Sequence, residues 1–400
     1  MATTTLAAPP RTPFLDAVNK SGLIAPERLA EILSQFDPRQ VAAADPIQLA
    51  TFLVRRKLLT KFQAMHLLNG RTQGFLLGRY RVLDGLREDR VGMVFLAEHE
   101  DTKQPAAIKV LPTDRVADPA VYQAFLAEAE AASRADHPNI ARVLAVGTWN
   151  DTHYVAVEHV SAPTLDKVVA DHGPLPPHSA AQVVAQVAIG LMHVHEQGQI
   201  HRDLKPANIA VLPDNRVKVL DLGLTRMIDN PYANSTQRFN LKEYAEEIAH
   251  IPPEQATRDG LDARSDIYSL GSTLYYLLTG ENPFPGLAMQ AMADKRSRDV
   301  PPPSEVQPEV PPELDDLVQQ MGAKDPDERF QSAAELVVAL RPWLPVWDWI
   351  TLDIKPAKSR SRVRAPGRRA TLQPTAAPEP AEHRRSFGPI GAFFGRLFGR

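Results

Sequence analysis

The sequence predicts an α+β chain of two lobes, a five-stranded antiparallel sheet with one main helix followed by a mainly helical half, preceded by a small helical bundle. Three observations predict it. Apolar residues recur at helical spacing through residues 14–70. From Tyr80 the pattern changes to short apolar runs bounded by turn residues. After His178 long helical segments closed by glycine take over.

Residues 1–13 are rich in Ala, Thr and Pro and are expected to be disordered. In residues 14–75 the apolar sets are Phe14, Leu15, Val18, then Leu29, Ile32, Leu33, then Leu49, Phe52, Leu53. Thr60 and Gln63 form a capping-box pattern ahead of Phe62, Met65, Leu67 and Leu68, and Gly70 ends that helix. About four helices are expected there. They make either an extension packed on the two-lobed region or an independent module with a docking partner for residues 14–70.

Tyr80 to Leu86, Gly92 to Glu98 and Pro105 to Leu111 read as three antiparallel strands. Asp118 and Pro119 are an N-cap and a first-turn proline, opening a helix to about Arg134. Two more strands are expected at Ala141 to Thr148 and His153 to His159. Helices are then expected at His178 to Gln197, Ala263 to Thr279, Leu287 to Arg296, Pro312 to Met321 and Ser332 to Leu340, the last with Ser332 and Glu335 as a second capping-box pattern.

With no cysteine, disulfides and thiol chemistry are excluded, which fits a cytoplasmic chain. No apolar run reaches the length of a membrane span. The net charge of −3 hides an asymmetry: residues 355–400 hold eleven Lys/Arg against two Glu, so they carry +9 and the rest −12. Residues 355–386 read as a basic, Pro/Ala-rich linker. Residues 387–400 combine Phe387, Phe393, Phe394 and Phe398 with Arg396 and Arg400. This end suits an anionic membrane surface, an acidic protein partner, or nothing beyond a frayed terminus. Specific nucleic-acid binding is not expected.

The chemistry gathers in His201-Arg202-Asp203-Leu204-Lys205-Pro206-Ala207-Asn208. A carboxylate, an ammonium and a carboxamide lie within six residues, and Pro206 stops a helix from running through them. Eighteen residues after Asp203 comes Asp221, at the end of the short strand pattern Val217 to Leu220 and followed by Gly223. An Asp at a strand end with an Asn and an Asp on a neighbouring loop can hold Mg²⁺ through hard oxygens. That arrangement suits phosphoryl transfer.

The string His201 to Asn208, with Asp221-Leu222-Gly223 at this distance, resembles the catalytic loop and metal-binding motif of the protein kinases, and Lys205 resembles their serine/threonine branch in bacteria. Leu58 to Ala64 resembles a segment that precedes the kinase domain in planctomycete-type kinases. The resemblance covers roughly residues 80–345 and implies the protein kinase fold, with ATP and Mg²⁺ as cofactors and protein Ser/Thr hydroxyls as substrate. By resemblance Asp203 is the base and Lys205 neutralises the moving phosphoryl group. Asn208 and Asp221 hold the metal. Lys109 contacts the α and β phosphates, held by Glu128, with Glu130 the competing choice. Gly92 belongs to the phosphate loop. Val94, Ala107 and Ala210 line the adenine slot, although all three also suit an ordinary core. Val157 is the gatekeeper, and Glu158 to Val160 supply the hinge backbone. Asp266 is expected to cap the catalytic loop and Arg329 to pair with Glu254. Arg202 is expected to face a phosphate on the activation segment, with Ser235 and Thr236 as acceptors or as plain loop residues.

Two departures stand out. The family's phosphate loop reads G-x-G-x-x-G, and counting back from Gly92 puts Arg87 and Asp89 where two glycines belong. Glycine lets backbone N–H groups approach phosphates. Arg87 could offset the charge of Asp89, and weak ATP affinity is expected. Ahead of Pro252-Pro253-Glu254 the family's Gly-Thr pair is replaced by Glu246-Glu247. Leu241 to Ala249 has helical character, so a helix partly blocking the peptide groove is expected, with Glu247 against Lys205. The sequence thus points to a serine/threonine protein kinase, slow or autoinhibited. The alternative is a pseudokinase scaffold.

Overall fold

Proline opens the N-terminal helices. In the computed structural model, which describes residues 12–88, 92–111, 119–150, 152–222, 248–256, 260–286 and 288–344, helix α1 (Pro13–Ser21), α2 (Pro26–Leu33), α3 (Pro38–Ala43) and α4 (Pro46–Arg55) each begin with Pro. There the missing N–H costs no intrahelical bond and φ is preset. Thr12, Asp37 and Asp45 cap α1, α3 and α4 by accepting backbone N–H groups. Helix α5 (Lys61–Leu68) carries the full Thr60/Gln63 capping box. Phe14, Leu15, Val18, Leu29, Leu33, Leu49, Leu53 and Leu67 make the core of this unit. Five helices are described where about four were expected: the extra one, α3, is six residues long, too short to show a period. Thr12 and Pro13, expected in a disordered stretch, are the cap and first residue of α1.

Residues 76–344 belong to a second compact unit. Among the described residues its sheet has six strands: β1 (Leu76–Leu77), β2 (Tyr80–Glu88), β3 (Met93–His99), β4 (Pro105–Val110), β5 (Val143–Trp149) and β6 (Thr152–Glu158). All pair antiparallel, in the order β1-β2-β3-β4-β6-β5. The sixth strand, β1, has only two residues, which cannot alternate visibly in sequence. Helix α6 (Pro119–Ala132) lies between β4 and β5; its expected N-cap, Asp118, is outside the described residues.

The helical half comprises α7 (Leu165–His172), α8 (Pro177–Glu196), α9 (Ala263–Thr279), α10 (Ala288–Ser297), α11 (Pro312–Met321) and α12 (Ala333–Leu340), with a two-stranded ribbon of β7 (Ile209–Val211) and β8 (Val217–Val219). Helix α8 is apolar nearly all round and packs against α9 and α12 in the centre. Where α9 crosses α11, a Cβ at Gly271 would stand 2.7 Å from the Cβ of Met321, so only glycine lets the helices come this close. Gly280 closes α9 in a left-handed conformation. Helix α7 was not anticipated. The ribbon was half anticipated, since β8 falls in the run Val217 to Leu220. Ser332 caps α12 through the Glu335 N–H, but the Glu335 carboxylate accepts from Gln331 instead, so the second capping box is only half formed.

No helix among the described residues is long and apolar enough to cross a membrane. Asp89, Gly223, Ser235, Thr236, Glu246, Glu247, most of the Leu241 to Ala249 helix and both tail segments lie outside the described residues.

Candidate active site

Sheet register sets one wall of the site. Lys109 on β4 is paired with Val94 on β3 and with Val155 on β6, and Ala107 is paired with Leu96 and Val157. Directly opposed residues of antiparallel strands share a face, as do residues two apart. Val94, Ala107, Lys109 and Val157 therefore stand on one face of the sheet. Val94 and Val157 are buried, and Ala107 is half-buried. Ala210 on β7 is fully buried and bridges to Thr164. At the end of β6, Glu158 is drawn into the fold: its N–H donates to the Arg142 carbonyl and its carboxylate takes the Lys218 ammonium at 2.8 Å. Val160 follows, half-buried and outside any strand.

The loop after α8 is held from below. The Asp266 carboxylate, in the first turn of α9 and wholly buried, accepts from the backbone N–H of His201 and of Arg202, both at 2.8 Å, and from His195 Nε2 at 2.8 Å. Burial alone would push this carboxyl up; the His195 bond and the His201 N–H outweigh it and keep the acid below its usual range. Arg202 is thereby held at φ 68°, a left-handed conformation uncommon outside glycine. His195 was not anticipated, because a lone His at a helix end carries no signal of its partner.

His201 ties the loop to the strand end. Its Nε2 donates to the Leu220 carbonyl at 2.8 Å, and its Nδ1 accepts from the Asp203 N–H at 3.3 Å. A carbonyl only accepts, so the ring proton sits on Nε2. The Leu220 N–H in turn donates to the Asn208 carbonyl at 2.8 Å. Asp203, Asn208 and Asp221, eighteen residues apart at the extremes, are thus laced into one cluster. Asn208 Nδ2 donates to both the Asp203 carbonyl and its carboxylate at 2.8 Å, and Lys205 Nζ lies 3.2 Å from Asp203 Oδ1. With its amide nitrogen committed, Asn208 presents its oxygen as the metal-ligating end.

Two carboxylates gather the cations around the cleft. Lys109 Nζ lies 3.0 Å from Asp221 Oδ2, while the Glu128 carboxylate is taken by Arg202 Nη1 at 2.9 Å. Asp221 and Glu128 thus each hold a cation, from β4 and from the loop after α8. Arg202 meets α6 through Glu128, while Ser235 and Thr236, its expected partners, lie outside the described residues. Arg87 Nη2 also reaches Asp221 Oδ2, at 3.1 Å. Burial pushes the Asp221 carboxyl up, but the ammonium of Lys109 and then the guanidinium of Arg87 hold it below the usual carboxylate range. Asp221 itself sits at φ 66°.

Among the described residues no cluster of three or more His, Cys, Asp or Glu side chains forms a cage for a metal. A carboxylate at Asp221 and a carboxamide oxygen at Asn208 nevertheless fit Mg²⁺, which takes one or two protein oxygens and completes its shell with water and phosphate.

Below the loop, Arg329 and Glu254 make a bidentate pair at 2.7 and 3.0 Å, with Ser265 donating to the same carboxylate. Two groups here carried no signal in the sequence. Lys295 of α10 is buried and donates to the carbonyls of Ile248 and Ile251; burial brings its ammonium down to about 7. His250, between those two carbonyls, is buried and lowered to about 3, by burial first and then by Lys295 and Lys205.

Residues 80–343 match the family model described as protein kinase domain. Among curated proteins, the serine/threonine-protein kinase PknB of Mycobacterium leprae (strain TN) is 38% identical over 270 residues, covering 66% of this chain and 43% of that protein. Serine/threonine-protein kinase PrkC of Bacillus subtilis (strain 168) is 32% identical over 260 residues, covering 65% of this chain and 39% of that protein. Each match thus spans less than half of the relative's length. Among solved structures, the Mycobacterium tuberculosis PknI kinase domain superposes with a TM-score of 0.54 at 26% identity, covering 68% of this chain and 98% of that one.

Proposed function

The chain belongs to the protein kinase family, and on that premise we propose that it is a serine/threonine protein kinase, transferring the γ-phosphoryl group of ATP to protein Ser/Thr hydroxyls with Mg²⁺, from a resting state that is switched off. The observation that carries this is the Asp203–Lys205–Asn208 cluster laced to Asp221 through His201 and Leu220. In this reading Asp203 accepts the proton of the substrate hydroxyl, and Lys205 neutralises charge on the transferred group. Asn208 and Asp221 supply the protein oxygens for Mg²⁺. Lys109 binds phosphate, with Gly92 in the loop over it. Val94, Ala107 and Ala210 line the adenine slot, Val157 guards its depth, and Glu158 to Val160 edge it.

Two arginines support the off state. Phosphoryl transfer in this family needs the strand lysine on the helix glutamate and the metal on the motif aspartate. Here Arg87 occupies the Asp221 carboxylate beside Lys109, and Arg202 draws on the Glu128 carboxylate. The same pairs favour the second reading, a pseudokinase scaffold. Glu247 in the family's threonine position supports either, and Glu247→Thr should raise the rate if the kinase reading holds.

Arg87 and Asp89 support a degraded glycine loop, and Leu58 to Ala64 supports the planctomycete-type branch. We further propose that the chain is cytoplasmic, that residues 14–70 dock a partner, and that the basic tail meets an anionic membrane or an acidic protein. An autophosphorylation assay with labelled ATP, wild type beside Asp203→Asn, decides between the readings. A kinase loses about 10²–10⁴ of its rate on losing a general base. Equal signals from both proteins, or none from either under activating conditions, would leave the scaffold reading.

A further inference from the structure

Arg87 reaches the candidate site because of a bulge. On β2, Gly85 is paired with Phe95 and Arg87 with Val94, so Leu86 is an extra residue without a partner of its own. Strict alternation from Asp84 would have put Leu86 on the Lys109 face and Arg87 on the other. The bulge reverses this. Arg87 now opposes Val94, Val94 opposes Lys109, and all three share one face. Its guanidinium meets the same Asp221 oxygen as Lys109.

The two cations are held differently. The Lys109 side chain is 4% exposed, whereas that of Arg87 is 44% exposed and reaches in from the rim. An ion pair made by so exposed an arginine is worth about 0–1 kcal/mol, which makes it easy to exchange. A divalent cation at Asp221 competes for that oxygen. A guanidinium released there stands beside Lys109, where phosphates lie in the proposed function. Its planar donors suit phosphate better than an ammonium does.

We propose that Arg87 is a phosphate-positioning residue that exchanges the Asp221 carboxylate for the nucleotide phosphates, doing with a side chain what the absent glycines do with backbone N–H groups. This rests on the nucleotide-site reading of the cleft. The exchange has two linked consequences: Arg87 opposes a metal bound alone and favours a nucleotide bound alone.

The test is two titrations of the full chain, Mn²⁺ alone followed by its paramagnetic resonance signal, and ADP in excess EDTA followed by calorimetry. Relative to wild type, Arg87→Gly should bind Mn²⁺ several-fold tighter and metal-free ADP about tenfold weaker, which corresponds to about 1.4 kcal/mol. Arg87→Gln, which keeps a side chain at the bulge, should do the same, and Arg87→Lys should recover most of the ADP affinity. If ADP and Mn²⁺ bind the wild type and the variants equally, or if only one of the two affinities moves, the exchange is wrong while the nucleotide site stands. If the wild type binds neither ligand at millimolar concentration, the nucleotide-site reading itself fails and the exchange with it.

Discussion

The Glu128 carboxylate on α6 accepts the Arg202 guanidinium at 2.9 Å, so the helix glutamate that the family resemblance assigns to Lys109 also holds the loop that carries Asp203. Both side chains of the pair are largely shielded, Arg202 being anchored through its own backbone N–H to Asp266. Lys109 reaches Asp221 at 3.0 Å. Five charges, Arg87, Lys109, Glu128, Arg202 and Asp221, are paired in the candidate site, and removing one of them should shift how the others are held.

Removing Arg202 should release Glu128. Arg202→Gln is expected to raise the initial autophosphorylation rate about tenfold, if the pair contributes about 1.4 kcal/mol to the resting arrangement. Initial rates at saturating ATP check this; an unchanged or lower rate means the pair does not restrain the site.

Lys109→Met should abolish most turnover and weaken ATP binding. Its effect on stability should be smaller than the roughly 3–5 kcal/mol usual for breaking a buried pair, because Arg87 remains on Asp221. The double variant Lys109→Met/Arg87→Gly should show the full cost in a denaturant melt. Additive effects of the two substitutions would argue against a shared carboxylate.

Glu254→Ala leaves the Arg329 guanidinium, whose side chain is wholly buried, without its bidentate carboxylate. A loss of roughly 3–5 kcal/mol is expected when a buried charge is left uncompensated in this way. Urea unfolding of the wild type and Glu254→Gln, which keeps the shape, separates the charge from the packing.

His250 should make the fold sensitive to mild acid. Its folded value is about 3 against an ordinary 6.5, so the unfolded chain binds the extra proton first. Stability is then full above 6.5 and falls as pH drops from 6.5 toward 3, with a slope approaching ~1.4 kcal/mol per pH unit from this group. His250→Phe should flatten that part of a pH–stability curve. The carboxylates of Asp221, Glu254 and Asp266, lowered by their partners, add their own loss only below the usual carboxylate range. A curve unaffected by His250→Phe between pH 6.5 and 4.5 would show that the ring is not held neutral.

Much of the site was legible because its residues are close in sequence or follow a period. Asp203, Lys205 and Asn208 share one short loop, and Pro206 and the strand pattern Val217 to Leu220 locate the turns around them. Helix α9 and helix α11 have the bounds that periodicity and glycine signals implied. What escaped were partners across the fold that no family motif names, such as His195 on Asp266. Arg202 was expected opposite a phosphate on the activation segment, and Arg87 in a lost glycine's place against Asp89; neither pattern pointed to Glu128 or Asp221. The unpaired Leu86 that turns Arg87 inward leaves no trace in composition, since a bulge is a property of two strands. Lys295 and His250 looked like ordinary residues on a helix and a loop until burial shifted their protonation.

The amino-acid order alone determined which elements form and which chemical groups sit on which loop, because caps, periods and turn residues act over a few neighbours. It determined too that carboxylate, ammonium and carboxamide would gather after α8. Only the tertiary structure decided how the charges pair. Electrostatic partnership depends on distance and shielding between segments up to 134 residues apart, as with Arg87 and Asp221, and register, bulge and burial exist only once the strands and helices have packed.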